Sequence, residues 1–466
     1  MVRTPRALTI AGSDSGGGAG IEADLKTFAA FGVHGLVAIT SVTAQNTIEV
    51  RLAYDLPPEV VIAQIEAVAD DIGVDAAKTG MLSNSGIIEA VSRTVKKYGF
   101  PLVVDPVMIA KSGAPLLKPE AIDTLINKLI PLAAVVTPNK FEAERITSIK
   151  ISTLDDARRA AKYIVEELGA RAAVVKGGHL EGRESVDVLY YNGSYKELAG
   201  PRITDGCYHG TGCTFSAAIA AELAKGKDVV EAVKVAKEFV TTAIRYGLRD
   251  VGKGHCPVHP TAWLAIPAER WRVIEDMTKA LEILEEYGEL INPLIPEVQM
   301  NIVMALPRHY ARSIKDVAGV LGRVVRYGKK VKAVGPPTFG ASSHLARAVL
   351  KVMEFDPSVR AALNIKYSEE ILRVAEKLGF RISFYDRKEE PPEVKAKEGA
   401  TIPWGVEAAI KRAGGAVPDL IYHRGDVGKE PMINILGRSA VDVVTKLVRL
   451  ARELRKMQTS KNVTPG

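Results

Sequence analysis

Short apolar runs alternate with amphipathic stretches of helical period through the first half of the chain. The runs are "RALTIAGS", "GLVAITSV", "DAAKTGML", "PLVVDPVM", "AAVVTPNK" and "RAAVVKGG", each closed by glycine, proline or a polar turn. Between them lie "AQIEAVADDI", "IIEAVSRTVKKYG" and "LDDARRAAKYIVEELG". Strands that alternate with helices of this length build a mostly parallel sheet covered on both faces. Such sheets bind ligands beyond the carboxyl ends of their strands, so the residues at the strand ends carry the chemistry.

With 466 residues the chain is too long for one core. A Gly- and Pro-rich stretch, "GKGHCPVHPTAWLAIPAER", separates the first alternation from a helical run and then a second, different alternation. The expected boundary falls at about 265, giving domains of residues 1–265 and 266–466. The tail "KMQTSKNVTPG" reads as disordered. No apolar run approaches the ~20 residues that span a bilayer, and no signal-peptide core develops, so no membrane partner and a cytoplasmic location are expected. Three cysteines argue against a disulfide framework. A formal charge of +7, with Lys and Arg scattered, suits anionic small molecules and does not indicate nucleic acid.

In "HGTGCTFSAAIAA" a Gly-Thr-Gly turn, residues 210–212, runs into a helix with Cys213 at the junction. Amides at a helix N-terminus attract anions, and the same position lowers a thiol's pKa. The opening loop "AGSDSGGGAGIEADLKT" has neither the glycine spacing of a dinucleotide fold nor the Gly-Lys-Ser/Thr of a P-loop. Its four glycines at 16, 17, 18 and 20 let backbone approach a flat polar ligand. Asp105 and Glu142 follow strand ends and suit Mg²⁺, which keeps water and takes few protein ligands. With Lys176 at another strand end they form a set suited to phosphoryl transfer. "CYHGTGC" and "HCPVH" suggest zinc but contain neither a Cys-x-x-Cys pair nor a His-Glu-x-x-His helix.

Taken in order, "ALTIAGSDSGGGAGIEADLKTFAAFG", "TAQNT", "KTGML", "DPVMIAKSG", "TPNKFEAE", "VVKGGHL" and "HGTGCTFSAAIAA" resemble the hydroxymethylpyrimidine (phosphate) kinases of thiamine biosynthesis, over roughly residues 5–262. The resemblance implies an α/β, ribokinase-like fold and two successive MgATP-dependent phosphorylations. The substrates are 4-amino-5-hydroxymethyl-2-methylpyrimidine and then its monophosphate. It implies that Cys213 stands where related kinases carry an aspartate base, and that Gly210, Thr211 and Gly212 hold the transferred phosphoryl. Lys176 and Thr211 would hold ATP phosphates. Asp24 and Gln45 would contact the pyrimidine, Met81 and Val107 would line its pocket, and the kinase would form a homodimer.

After the boundary, polar chemistry gathers in "VLGRVVRYG", "FGASSHLARAVL", "LNIKYS" and "PDLIYHRGDVGKEPMINILG". As a group these resemble the archaeal-type thiamine phosphate synthase domain, a smaller α/β unit, over roughly residues 275–455. That family joins the pyrimidine diphosphate to hydroxyethylthiazole phosphate and releases pyrophosphate. The chemistry asks for cations on a departing diphosphate and a proton donor near it; Arg323 and His344 are the expected residues. Ser342, Ser343, Asp426 and Lys429 would grip phosphates. The alternative is a sensory domain that only binds thiamine phosphates. Domains of that kind follow a helix-turn-helix segment in regulators, whereas here a kinase precedes.

Overall fold

The computed structural model describes residues 3–110, 112–179, 182–426 and 428–461. They form two compact units, Met1–Ala265 and Ile266–Gly466. The first is built on ten strands: β1 (Arg6–Ala11), β2 (His34–Ile39), β3 (Ser41–Gln45), β4 (Val50–Asp55), β5 (Ala76–Thr79), β6 (Leu102–Val104), β7 (Val135–Val136), β8 (Ala172–Val175), β9 (Glu184–Tyr191) and β10 (Ser194–Pro201). Eight of them make one sheet, ordered β10-β9-β8-β7-β6-β5-β1-β2. From β2 to β8 every pairing is parallel, and β9 and β10 close one edge as an antiparallel hairpin. Strands β3 and β4 form a separate two-stranded ribbon.

Residue alternation along each strand sends side chains to opposite faces. Leu8, Ile10, Leu102, Val104 and Val175 join one core with Ile65, Ile88 and Ile164 of the helices Pro58–Asp71, Ser85–Tyr98 and Leu154–Glu166. Ala7, Val103 and Val174 join another with Phe28, Phe215 and Phe239 of the helices Gly20–Ala30, Thr211–Ala224 and Val229–Arg245. Near-continuous apolar strands are what a sheet buried on both faces requires.

The second unit contains β11 (Ile302–Ala305), β12 (Val317–Val320), β13 (Val324–Tyr327), β14 (Lys330–Ala333), β15 (Pro337–Phe339), β16 (Ala361–Lys366), β17 (Ile382–Phe384), β18 (Leu420–His423) and β19 (Met432–Gly437). Seven of these form a sheet ordered β15-β12-β11-β16-β19-β18-β17, with only β17 and β18 parallel. It is a second α/β unit, but its sheet is mostly antiparallel. The helices His344–Val352, Glu369–Lys377 and Thr401–Arg412 intervene between its strands.

Two local expectations are corrected. The Gly- and Pro-rich break ends early: a helix spans Ala262–Glu286 and carries Pro267 inside it, at the cost of one intrahelical bond to the Trp263 carbonyl. The tail is helical as far as Lys461, because Val443, Val444, Leu447 and Leu450 give the helix Ala440–Lys461 a buried face. Residues 462–466, the rest of that tail, lie outside the described residues.

Candidate active sites

In the first unit the ends of the parallel strands open onto a cavity of about 980 Å³. Gly80 and Met81 follow β5, Asp105 follows β6, Lys176 follows β8, and the glycine loop follows β1. Glu142 is placed by a capping box: Asn139 Oδ1 accepts the Glu142 N–H at 3.0 Å, and Glu142 Oε2 accepts the Asn139 N–H at 2.7 Å. This fixes the carboxylate at the start of the helix Lys140–Thr147. Lys176 Nζ lies 3.3 Å from Asp105 Oδ1. Burial, together with the neighbouring Asp105 charge, pushes the Glu142 carboxyl up to about 7 against the opposing pull of Lys176. Burial alone would lower Lys176, yet Asp105 and Glu142 hold it above the ordinary lysine value.

The Gly210–Thr211–Gly212 turn faces this trio. Gly210 has φ +84°, and a Cβ there would stand 1.9 Å from the Gly18 carbonyl oxygen. At Gly212 a Cβ would lie 3.3 Å from Asp105 Oδ2 and 3.5 Å from Lys176 Nζ, so backbone approaches the charged pair directly. Gln45, Met81, Val107, Thr211 and Cys213 also line the cavity. The Gln45 backbone is tied to the glycine loop, its N–H donating to Ser15 Oγ at 2.8 Å.

Cys213 departs from expectation. It lines the cavity half-buried, and desolvation pushes its pKa up to about 12 rather than down. Lys78 works in the opposite direction, and the Gly20 N–H at the start of the helix Gly20–Ala30 donates to the sulfur. Desolvation of the charged form outweighs the helix-terminus effect. Asp24 departs as well. Its side chain is fully buried and engaged inside the protein, accepting from Lys78 Nζ at 3.0 Å and Thr9 Oγ1 at 2.7 Å, and it is not part of the cavity wall. Lys78, also fully buried, would be lowered by burial, but Asp24, Cys213 and Asp105 hold it above the ordinary value.

Two features went unread in the sequence. His209 Nε2 lies 2.9 Å from Asp14 Oδ2, pinning the glycine loop to the Gly-Thr-Gly turn. Burial would raise Asp14, but His209 and the Gly16 and Ala19 N–H groups hold it below the usual carboxylate range. A histidine directly before "GTG" was the available signal. Cys207 and Cys256 form a disulfide, which corrects the expectation drawn from the cysteine count. The two strands of chain it joins also bridge at His209 and Pro257, a pairing between segments 49 residues apart that spacing alone does not reveal.

In the second unit, turns and helix starts bring basic groups together. Arg323 has φ +72° after β12, and its guanidinium donates to the Val298 carbonyl. Ser342 packs against β12, where a Cβ on Gly319 would meet its Cβ at 3.0 Å. Ser343 precedes the helix His344–Val352 without a side-chain cap, its Oγ 3.3 Å from His344 Nδ1. His344 is lowered first by burial and then by Arg347, Lys429, Arg323 and Arg387. Asp426 and Lys429 exchange backbone hydrogen bonds in the loop after β18, and Asp426 reaches Lys395 at 3.9 Å. Arg347 and Arg387, which also act on the His344 charge, had not been singled out.

A mostly parallel sheet with a helix N-terminal phosphate turn and a charged trio at its strand ends defines a ribokinase-like kinase fold. Comparison agrees: an ADP complex of pyridoxal kinase from Bacillus subtilis superposes with a TM-score of 0.52 at 42% identity, covering 56% of this chain and 98% of that one. Residues 14–259 match the family model of phosphomethylpyrimidine kinase, and residues 276–449 that of thiamine-phosphate synthase ThiN. The hydroxymethylpyrimidine/phosphomethylpyrimidine kinase of Bacillus subtilis (strain 168) is 48% identical over 260 residues, 55% of this chain and 95% of that protein. The bifunctional thiamine biosynthesis protein ThiDN of Methanocaldococcus jannaschii is 35% identical over 446 residues, 94% of this chain and 97% of that protein. The chain belongs to the phosphomethylpyrimidine kinase family, in the bifunctional form that also carries a thiamine-phosphate synthase half. It is an ATP-using enzyme of thiamine biosynthesis with both activities.

Proposed function

We propose a division of labour in which residues 1–265 phosphorylate 4-amino-5-hydroxymethyl-2-methylpyrimidine and then its monophosphate, and residues 266–466 condense the diphosphate with hydroxyethylthiazole phosphate. The observation that carries the kinase half is the convergence of the Gly210–Cys213 turn with Asp105, Glu142 and Lys176 around one cavity. Gln45, Met81 and Val107 hold the pyrimidine, the side-chain amide pairing with its polar edge. Lys176 and the amides of the turn hold ATP phosphates and the charge developing on the transferred group. Cys213 takes the hydroxyl proton as a thiolate, after its own proton has left to solvent in the open cavity; Lys78 and the Gly20 N–H favour that charged form against burial.

Mg²⁺ fits the donor set. Asp105 and Glu142 are two cavity-lining carboxylates, and no group of three or more metal-ligating side chains occurs among the described residues. An ion here would rest on those carboxylates, water and ATP, the pattern Mg²⁺ favours, and would neutralise phosphate oxygens when bound. In the second unit Arg323 binds the departing diphosphate and His344 protonates it, with Ser342, Ser343 and the Asp426–Lys429 loop holding phosphates. The kinase half pairs with a second copy through the β3–β4 ribbon, where Val42, Leu52 and Tyr54 are 49%, 65% and 63% exposed; light scattering of Leu52→Asp should show monomers. ATP dependence supports a cytoplasmic site of action.

His344→Ala and Arg323→Ala test the assignment of the second unit. Each should stop thiamine phosphate formation and let pyrimidine diphosphate accumulate from MgATP and the alcohol. Thiamine phosphate formed at the parent rate by both variants would remove these residues from the reaction. Tight binding of thiamine phosphate by a parent chain that forms none would favour the sensory alternative.

A further inference from the structure

The glycine loop after β1 is wound around one buried carboxylate. Asp14 is 1% exposed, and its Oδ1 accepts the Gly16 N–H at 2.9 Å. Its Oδ2 accepts the Ala19 N–H at 2.8 Å and the Gly18 N–H at 3.2 Å, and His209 Nε2 lies 2.9 Å from the same oxygen. The Asp14 N–H is taken by Glu22 Oε2 at 2.7 Å, in the first turn of the helix Gly20–Ala30.

His209 is itself fixed. It is 7% exposed, its N–H donates to the Cys256 carbonyl at 3.3 Å, and its carbonyl accepts the Val258 N–H at 3.0 Å. A Cβ on Gly18 would stand 2.4 Å from His209 Cδ2, and one on Gly210 would stand 3.4 Å from Ala19 Cα. The loop and the Gly210–Gly212 turn therefore meet backbone to backbone, with the Asp14–His209 contact beside them.

The two ends of the loop reach different parts of the kinase site. At its start the Thr43 N–H donates to Ser13 Oγ at 3.2 Å, and Ser15 Oγ donates to the Gln45 carbonyl at 2.6 Å, which seats the end of β3. At its far end the Gly20 N–H meets the Cys213 sulfur. Asp14, His209, Gln45 and Cys213 all line the one cavity. A loop with glycine at 16, 17, 18 and 20 has wide backbone freedom, so the spacing between its two ends needs an internal tie. Charge-assisted hydrogen bonds to a buried carboxylate are strong enough to be one.

We propose that Asp14 and His209 are positioning residues of the kinase reaction: the pair sets the glycine loop so that a pyrimidine held at Gln45 presents its hydroxyl to Cys213. Both act through the loop rather than on the transferred group. The assignment rests on reading Gln45 as the ring contact and Cys213 as the base.

The test compares the two phosphorylations in the full chain. His209→Ala and Asp14→Ala should each lower kcat on the pyrimidine alcohol about tenfold or more, the scale of a misplaced reacting group, with the KM for MgATP within about twofold of the parent. The loss on the monophosphate should be smaller, because that substrate is already largely ionised and leans less on a base. In the double variant the loss should match the larger single loss rather than their product, since both substitutions break one link. His209→Gln and Asp14→Asn, which keep polar atoms near the same places, should fall between parent and Ala variants; they carry the test and the cycle if an Ala variant fails to fold. Alcohol turnover within about twofold of the parent at both positions would overturn the proposal. Equal losses on both steps, a KM for MgATP raised in proportion, or single losses that multiply in the double variant would overturn it too. Should Cys213→Ala itself cost both steps equally and little, the base reading fails by itself. The double variant's turnover of the alcohol then decides the pair, multiplying losses refuting it and a shared loss upholding it.

Discussion

Replacing Lys78 by methionine should destabilise the first unit more than any exposed substitution in the chain. The Lys78 and Asp24 side chains are both 0% exposed and 3.0 Å apart. Methionine keeps most of the volume and removes the charge. It leaves Asp24 with the Thr9 hydroxyl alone, and Asp24 Oδ1 is already buried without a partner. Removing one member of such a pair costs about 3–5 kcal/mol. At about 2–3 kcal/mol per M urea, the unfolding midpoint of this unit should fall by roughly 1–2 M, with the slope unchanged. Lys78 is held above its ordinary value in the fold, so its stabilisation is complete below the unfolded-state lysine pKa. It is lost only as pH rises through the folded value, while Asp24, raised by burial and no longer opposed by Lys78 in the variant, makes the deficit hold or deepen from pH 6 to pH 8. Adding Asp24→Asn removes the stranded charge and should recover most of the loss. The assay is urea unfolding followed by far-UV circular dichroism. A Lys78→Met midpoint within about 0.3 M of the parent, or a deficit that vanishes at pH 8, would refute the reasoning.

Cys213, pushed up to about 12, should react with iodoacetamide about ten times faster per pH unit between pH 7 and 9.5; a plateau below pH 9 would contradict its burial. Cys213→Ala should cut turnover of the pyrimidine alcohol about 10²-fold and slow the second phosphorylation less, because a phosphate monoester is already largely ionised; equal small losses would leave only a packing role. Denatured without reductant, the chain should titrate one thiol rather than three, and Cys256→Ser should cost about 4 kcal/mol by the loop-closure estimate for 49 residues; three titratable thiols would show the disulfide does not form. Gln45→Leu should weaken pyrimidine binding at least about tenfold by stranding the ring's polar edge, and unchanged affinity would remove Gln45 from the contact.

What could be read in advance was local. Strand ends announce themselves because an apolar run stops at a polar residue, which singles out Asp105, Glu142 and Lys176, and the fold brings these to the cavity of the Gly210–Cys213 turn. Pairings over long sequence distance were illegible. Lys78 in "DAAKTGML" looks like any polar strand residue, and only the fold shows that it faces Asp24, 54 residues away. Asp14 and His209 stand 195 residues apart. The thiol pKa failed for a different reason. Helix polarity is written in sequence, but the desolvation that outweighs it depends on what packs over the sulfur. The second unit's antiparallel pairing was hidden because helices between its strands mimic the alternation of a parallel sheet.

The central claim is that one chain carries the pyrimidine from alcohol to thiamine phosphate. The most direct measurement is a single incubation of the full chain with 4-amino-5-hydroxymethyl-2-methylpyrimidine, hydroxyethylthiazole phosphate and MgATP, resolved by chromatography over time. The account predicts monophosphate, then diphosphate, then thiamine phosphate with an equal amount of pyrophosphate. Accumulated pyrimidine diphosphate with no thiamine phosphate would contradict it.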